Sequence, residues 1–282
     1  METLKGYVRE YGRRPKRSLG QVFLIEKAIQ EKILELADLD PEDVVIEIGP
    51  GTGGITRSLA SRIRRLIALE IDQELVGYLH ESIRAVPHTS LICIDALRFD
   101  FPRAARSLGC TPKIIGNLPY LIATPLLFHF IECRHSLKML VLMLQKEVAQ
   151  RITARPGTKA YGILTVMTQV HMEISLRRIV SRHCFYPVPN VDSALVTLIP
   201  RPESLIMPGE DTLFRSVVQA AFATRRKTLF NALRASPLIP LAPEHLHELL
   251  TYLAIDPQRR GETLQLEEFI LLARKIKEKT QD

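Results

Sequence analysis

The 282-residue chain is long enough for one large domain with a smaller companion, and its apolar residues, 46% of the total, can fill a sizeable core. Charged residues make up 24% and are mixed in sign, which argues against a disordered chain. Lys and Arg outnumber Asp and Glu by 38 to 31, and the resulting net charge of +7 favours nucleic acid as a partner.

No residue pattern indicates a metal site, a disulfide framework or a membrane. The four cysteines have no C-x-x-C spacing and are predicted to be thiols in a reducing compartment. His245 and His247 are two residues apart, so on a helix they would point to different faces rather than bind one metal ion. Since no apolar run approaches the length of a membrane span and the N-terminus lacks a secretory signal, we expect a cytoplasmic protein.

The pattern of strands and helices predicts an α/β fold with a seven-stranded, mostly parallel sheet. Five β-rich runs, at residues 44–48, 66–70, 91–94, 113–115 and 137–144, alternate with helical patterns such as 73–85 and 124–133. This alternation is typical of a parallel sheet covered by helices on both faces. Helices at 145–154 and near 161–170 precede the runs 171–180 and 193–199, which we expect to complete the sheet as an antiparallel pair.

The last part of the chain shows no clear strand. Residues 200–209 are rich in proline and lack periodicity, so they are predicted to be a linker. Helical patterns follow at 212–222, 226–234, 243–253 and 266–277. We therefore predict two domains, residues 1–203 with the sheet and residues 204–282 as a small, all-helical domain.

A glycine-rich turn follows the first predicted strand. Gly49, Gly51 and Gly54 satisfy G-x-G-x-x-G, and Glu70 ends the next strand at about the spacing of an acid that binds ribose. Glycines let the backbone approach a ligand closely, and the start of the following helix supplies free N–H groups. The turn therefore predicts a nucleotide-type ligand, and by itself it is equally compatible with NAD.

Polar residues follow the third and fourth predicted strands, which we expect to end at the same edge of the sheet. Asp95 could recognise an adenine amino group there, or it could cap a helix, as aspartates often do. The tetrad Asn-Leu-Pro-Tyr at residues 117–120 has no evident use in a dehydrogenase. Alone, it could be an Asx-type turn with a packed tyrosine. Its position after the glycine turn, Glu70 and Asp95 favours a binding site.

The tetrad suits methylation of an adenine amine. That nitrogen is a poor nucleophile because its lone pair is delocalised into the ring. The Asn117 side-chain oxygen and the Leu118 carbonyl can accept hydrogen bonds from the two N–H groups of the amine and direct its lone pair at an electrophile. Pro119 holds that carbonyl in place, and Tyr120 offers a face on which an exposed base can stack. Transfer of a sulfonium methyl group then needs positioning and electrostatics rather than a strong base.

At these residues the chain resembles the S-adenosylmethionine-dependent ribosomal RNA adenine dimethyltransferases, in particular their bacterial small-subunit branch. Matching blocks near the site are KRSLGQVFL at 16–24, EIGPGTGGIT at 47–56, LEID at 69–72, DAL at 95–97 and NLPY at 117–120. Further blocks are LQKEVAQRI at 144–152, KAYGILTVMTQ at 159–169, FYPVPNVDSALV at 185–196 and AAFATRRKTLFNAL at 220–233. Together they cover nearly the whole chain.

The resemblance implies a Rossmann-like methyltransferase sheet, a C-terminal helical domain with an RNA-binding or accessory role, and S-adenosylmethionine as the cofactor. It implies small-subunit ribosomal RNA as the substrate, and we expect a monomer that acts on a partly assembled 30S-type particle. The cofactor-binding residues it implies are Gln21, Leu24, Glu47, Gly49, Gly51, Gly53, Glu70, Ile71, Asp95, Ala96 and Asn117. The target pocket it implies consists of Asn117, Leu118, Pro119 and Tyr120, with Phe185 as a second stacking ring.

One position departs from the family pattern, and the role of another has a structural alternative. Val22 stands where the family usually has Asn or His, so we assign no polar contact to its side chain. Phe185, beside two prolines, would without the family be interpreted as a core anchor, since phenylalanine is mostly buried.

Basic residues cluster at several points along the chain. Each cluster alone is typical of a solvated face, but several clusters combined with an adenine pocket favour a surface that follows RNA phosphates. The clusters are Arg9, Arg13, Arg14, Lys16 and Arg17; Arg177, Arg178 and Arg182; Arg225, Arg226 and Lys227; and Arg259 and Arg260.

Three other functions stay open from the sequence. A large-subunit adenine methylase is disfavoured by the FATRRKTLFNAL block and by the length of the helical domain. A non-catalytic assembly factor is disfavoured because the glycine turn, both acids and Asn117 are all present. An NAD dehydrogenase is supported by the glycine turn alone.

Overall fold

The computed structural model of the chain describes residues 15–83, 86, 88–207 and 209–281. The strands in these ranges are β1 (Phe23–Leu24), β2 (Val44–Ile48), β3 (Arg65–Glu70), β4 (Thr89–Cys93), β5 (Lys113–Asn117), β6 (Met139–Gln145), β7 (Met172–Val180), β8 (Phe185–Tyr186) and β9 (Ser193–Pro200). The helices are α1 (Lys27–Leu36), α2 (Thr56–Ala60), α3 (Gln73–Ile83), α4 (Phe101–Leu108), α5 (Ala123–Glu132), α6 (Lys146–Ile152), α7 (Ile163–His171), α8 (Asp211–Phe222), α9 (Leu229–Arg234), α10 (Pro243–Tyr252) and α11 (Leu266–Gln281).

Seven of the strands form one sheet in the order β4-β3-β2-β5-β6-β9-β7. Strands β2 to β6 pair in parallel, whereas β9 runs antiparallel to β6. The predicted α/β fold with a seven-stranded, mostly parallel sheet is therefore confirmed. The two remaining strands, β1 and β8, form a separate antiparallel pair in which Leu24 lies opposite Phe185.

Burial explains why the central strands are nearly continuous apolar runs. Every residue of β2 is buried, because helices cover both faces of a parallel sheet. One apolar cluster joins α1 to the sheet and includes Ile33, Val45 and Ile115 together with Phe185. This core fixes the carboxyl ends of β2, β3 and β5, where the polar residues of the predicted site lie.

Several element boundaries differ from the sequence prediction by a few residues, and two of these differences have a clear structural cause. Strand β5 continues past Ile115, since Gly116 and Asn117 still pair with Leu142 and Met143 of β6. Helix α9 begins at Leu229 rather than at residue 226, because the side chain of its N-cap residue Thr228 accepts a hydrogen bond from the Asn231 amide. The first difference places the Asn117 backbone within the sheet rather than in a loop.

The chain divides into two compact units, residues 1–149 with 173–200 and residues 150–172 with 201–282. The boundary predicted after residue 203 stays a prediction. The predicted basic residues Arg9, Arg13 and Arg14 lie outside the described residues, as do the last two positions, 84 and 85, of the predicted helix 73–85. In the described ranges, no helix combines the length and apolar character needed to cross a membrane.

Candidate active site

A hollow opens at the carboxyl edge of the sheet, where the predicted site residues converge. Its walls are residues 19–24, the glycine turn after β2, residues 70–71 after β3, and residues 116–120 at the end of β5. All four segments follow strand ends or pack over them, which is where ligands bind in open parallel sheets. The sequence correctly predicted that these strand ends would meet.

The glycine turn adopts a backbone that other residues would rarely tolerate. Gly49, Gly51 and Gly53 have φ values of +66°, +59° and +81°. A Cβ atom on Gly51 would lie 2.9 Å from the Phe23 ring, so the absence of a side chain lets residues 19–24 approach the turn. Helix α2 begins only at Thr56, after the turn has closed.

The Glu70 carboxylate, one of two buried acids at the hollow, organises the turn. It accepts hydrogen bonds from the amides of Gly51, Ile71 and Asp72, at 3.3, 2.9 and 3.0 Å. Burial raises the pKa of Glu70 above its usual range, and these backbone donors oppose that shift. The acid therefore ties the glycine turn to the start of α3.

Glu47, the second acid, lies inside β2 and also lines the hollow. Burial raises the pKa of Glu47 to about 8, and the nearby charge of Glu70 adds to the shift. One of its carboxylate oxygens, Oε2, has no hydrogen-bond partner among the described residues. A buried acceptor without a partner is costly, which favours a ligand that brings a donor or a positive charge to it.

These acids test which nucleotide-type ligand fits. S-Adenosylmethionine carries a sulfonium and an ammonium group, and a positive charge beside these two acids would favour their ionised form. A pyrophosphate would instead lie beside both acids, and none of the described residues that line the hollow is Lys, Arg or His. The hollow therefore fits S-adenosylmethionine.

Asn117 is held by a contact that orients its amide. Its Nδ2 donates a 2.8 Å hydrogen bond to the Val22 carbonyl, and no described residue donates to its Oδ1. The Leu118 amide donates to the Met143 carbonyl at 3.1 Å, while the Leu118 carbonyl receives no hydrogen bond within the described part of the chain. Both predicted acceptors are therefore available. Since Val22 contributes its backbone here, a valine side chain at this position leaves the contact intact.

The Tyr120 ring is half-buried at the rim of the hollow. Its hydroxyl lies 3.0 Å from Ser193 Oγ at the start of β9. Burial raises the pKa of Tyr120, so the hydroxyl is neutral at physiological pH and the ring is held by a hydrogen bond. One face of a fixed aromatic ring at a rim is the arrangement that base stacking requires.

Most of the predicted site residues line the hollow, but four do not: Gly53, Asp95, Ala96 and Phe185. Asp95 caps the short 3-10 helix Ala96–Arg98 by accepting a hydrogen bond from the Leu97 amide at 3.0 Å. Phe185 is 1% exposed and packs in the core, so in this conformation it offers no face to a base. The stacking role of Phe185 stays a prediction that this geometry does not support.

Sequence reasoning missed several residues that shape the hollow. Gly20, with φ of +62°, lies against Pro119 and the Tyr120 amide, and the Phe23 ring covers Gly51. Gln30 holds the segment over the turn by donating to the Leu24 carbonyl at 2.9 Å. Gly20, Phe23 and Ser193 all lie in sequence blocks shared with the family, which could have indicated their part in the site. Gln30 lies outside these blocks, so nothing in the sequence indicated its role.

The sheet order, the glycine turn and the two acids define a Rossmann-like methyltransferase. The chain belongs to the ribosomal RNA adenine dimethylase family, whose model matches residues 12–276. A relative from Geobacter metallireducens, called ribosomal RNA small subunit methyltransferase A, is 42% identical over 268 residues, which are 95% of this chain and 97% of the relative.

Solved structures of related enzymes share the fold. A dimethyladenosine transferase from Plasmodium falciparum superposes with a TM-score of 0.81 at 26% identity, covering 92% of this chain and 98% of the other. The 23S rRNA methyltransferase ErmE superposes with a TM-score of 0.71, also at 26% identity, covering 90% and 99% of the two chains.

Proposed function

We propose that this protein transfers methyl groups from S-adenosylmethionine to the 6-amino groups of two adjacent adenines near the 3′ end of small-subunit ribosomal RNA. Family membership and the 42% identity to a small-subunit methyltransferase support this function. The observation that carries the chemistry is the Asn117 amide, whose nitrogen is engaged by Val22 and whose oxygen is left as an acceptor beside the hollow.

The residues that would hold the cofactor are those around the two acids. Glu70 would accept a hydrogen bond from the ribose, and Ile71, which is 48% exposed, would cover the adenine. The Glu47 oxygen that lacks a partner would serve the methionine part of the cofactor. Gln21 and Leu24 close the hollow from the N-terminal segment, while Gly49 and Gly51 allow close approach. Bound there, S-adenosylmethionine supplies an electrophilic methyl group on sulfur.

The residues of the target pocket then position an exposed adenine. The Asn117 oxygen and the Leu118 carbonyl would accept hydrogen bonds from the two N–H groups of the amine, which favours a pyramidal nitrogen with an accessible lone pair. Neither group is a base, so their contribution is orientation and electrostatic stabilisation, and the proton that the methylated nitrogen gives up would pass to water. Pro119 holds the Leu118 carbonyl, and the Tyr120 ring supports the base.

The RNA surface is expected to use only part of the predicted basic clusters. Arg225 binds Glu262 at 2.5 Å and the Lys159 carbonyl at 2.6 Å, so it braces its own unit. Arg259 forms two hydrogen bonds with Glu268, at 2.5 and 2.9 Å. Arg226 and Lys227, by contrast, are exposed, and no acid among the described residues pairs with them. We infer that these two residues contact phosphates, and that RNA affinity therefore falls as salt rises.

The substrate is tested by transfer of a tritiated methyl group to isolated ribosomal subunits from cells that lack this methylation. We expect label in small-subunit RNA and none in large-subunit RNA. The same assay with naked small-subunit RNA tests the proposal that a partly assembled 30S-type particle is the substrate. We also propose that the enzyme is a monomer and acts in the cytoplasm. Label confined to large subunits would contradict the proposed function.

The pKa of Glu47 makes a stability prediction that needs no cofactor. Because the folded protein holds a proton at Glu47 up to about pH 8, the unfolding free energy is expected to fall as pH rises from about 4.5 to 8. The slope contributed by this group is at most about 1.4 kcal/mol per pH unit. Replacing the acid by an uncharged isostere removes that slope, so Glu47→Gln should gain stability relative to the wild type between pH 5 and 8.

Denaturant unfolding at several pH values measures this difference, and Glu42→Gln is the matched control. Glu42 is an exposed carboxylate, so its variant should follow the wild-type curve. Parallel curves for Glu47→Gln and the wild type between pH 5 and 8 would show that Glu47 is ionised in the folded protein.

A further inference from the structure

The segment 16–24, here called the strap, forms one whole wall of the hollow. Its residues 19–24 line the hollow, between the glycine turn on one side and residues 117–120 on the other. Apart from the short 3-10 helix Arg17–Leu19 and the two residues of β1, the strap has no regular structure. Backbone pairing with β8 holds residues 23–24, so side-chain contacts must set the position of residues 16–22.

One end of the strap is fastened to Asp72, a buried residue just before α3. The Asp72 carboxylate accepts hydrogen bonds from Lys16 Nζ at 2.7 Å and from Gln21 Nε2 at 2.6 Å. The Lys16 amide also donates to Gln21 Oε1 at 2.7 Å, and Lys16 Nζ lies 3.2 Å from Glu74. The side chains of Lys16 and Gln21 therefore bind the same carboxylate, and the Lys16 amide also binds the Gln21 side chain.

The other end of the strap is fastened to the target pocket and the glycine turn. The Val22 carbonyl accepts a hydrogen bond from Asn117 Nδ2. The Phe23 ring packs with Leu75 and Tyr78 and lies next to Gly51. The strap therefore contacts the cofactor hollow and the acceptor amide at once, and Asp72 is the charged anchor of this arrangement.

We propose that Asp72 is a positioning residue that holds the strap closed through Lys16 and Gln21, and so sets both cofactor retention and the orientation of Asn117. The inference rests on the proposed function. When the strap opens, Asp72 regains water; when the strap closes, the carboxylate is desolvated, and the Lys16 ammonium compensates for that cost. Without Lys16, the closed strap leaves a buried charge with weaker compensation, and the equilibrium shifts toward the open form.

Lys16 is the residue to change, because its side chain is 36% exposed and its removal leaves the core intact. Lys16→Met keeps the aliphatic stem and removes the charge. We expect the dissociation constant for S-adenosylmethionine to rise about tenfold, which is about 1.4 kcal/mol, with faster release and a lower kcat. The melting temperature of the protein without cofactor should stay close to that of the wild type.

Lys32→Met is the matched control, since Lys32 forms a 2.7 Å ion pair with Glu35 on α1, away from the hollow. It should bind and release the cofactor as the wild type does. In the Asp72→Asn background, Lys16→Met should weaken affinity less than it does in the wild type, because Asp72→Asn already removes the Lys16 ion pair. Titration calorimetry and stopped-flow release of the cofactor measure these quantities.

The outcomes separate the inference from the proposed function. A wild type that fails to bind S-adenosylmethionine contradicts the proposed function itself. A wild type that binds, together with a Lys16→Met variant that binds and releases the cofactor as Lys32→Met does, overturns the role of Asp72 alone. A Lys16→Met variant that loses melting temperature without faster cofactor release also overturns it, because the ion pair is then only structural.

Discussion

Replacing Asn117 by alanine should lower kcat for adenine methylation by about 100-fold or more, the usual effect of removing a preorganised hydrogen-bonding group from a transition state. Its dissociation constant for S-adenosylmethionine should rise far less. The Asn117 oxygen is the atom available to the substrate amine, so its loss acts on the methylation step. The Asn117 nitrogen fastens the strap through Val22, but Asp72 and the packed Phe23 ring still hold the strap when that contact is lost.

The Asn117 prediction is checked by single-turnover methylation of small subunits alongside cofactor titration. A variant that folds, binds the cofactor normally and has lost turnover supports the assigned role. The opposite pattern, weaker S-adenosylmethionine binding with an unchanged methylation rate, would assign Asn117 to the cofactor site instead.

Replacing Glu70 by alanine should produce the complementary effect. We expect the dissociation constant for S-adenosylmethionine to rise about 100-fold, equivalent to about 2.7 kcal/mol, while kcat at saturating cofactor stays within several-fold of the wild type. The variant loses the hydrogen-bond acceptor for the ribose. It also loses the carboxylate that holds the Gly51, Ile71 and Asp72 amides in place, and the estimate includes both effects.

Glu70→Gln serves as the conservative comparison, because it keeps the shape and one acceptor oxygen. Its affinity for S-adenosylmethionine should fall between those of the wild type and Glu70→Ala. Unfolding curves for all three proteins without cofactor separate a lost anchor from a lost fold. If Glu70→Ala binds S-adenosylmethionine as the wild type does, the ribose assignment is wrong.

The sequence predicted the sheet and the place of the site for a physical reason. Parallel strands present their carboxyl ends at one edge, so residues that follow successive strands, such as Gly49, Glu70 and Asn117, must converge there. The periodicity and spacing of apolar residues are local features of the sequence, and they located the seven strands of the large sheet to within a few residues.

Contacts between distant segments could not be predicted from the residues alone. Lys16 and Asp72 are 56 positions apart, and Val22 and Asn117 are 95 apart, so no local pattern pairs them. The orientation of the Asn117 amide depends on the second of these contacts. Lys16 had been predicted to bind phosphate, but its ammonium group lies on the Asp72 carboxylate instead.

The burial of Phe185 shows the limit of reasoning from a family. Its pairing partner Leu24 belongs to β1, a strand of two residues that the periodicity did not reveal. This pairing draws residue 185 toward the core, and the ring is buried there.

The start of α9, by contrast, was predictable in principle, because threonine is a common N-cap residue and Thr228 directly precedes the helix.

Mass spectrometry of ribosomal RNA at nucleotide resolution tests the central claim most directly. Under-methylated small subunits are incubated with S-adenosylmethionine and either the wild type or Asn117→Ala, and each modified adenosine is then located. We predict dimethylation of the 6-amino groups of two adjacent adenines near the 3′ end with the wild type, and almost none with the variant. Methyl groups at ring nitrogens or on ribose, or equal modification by both proteins, would contradict the account.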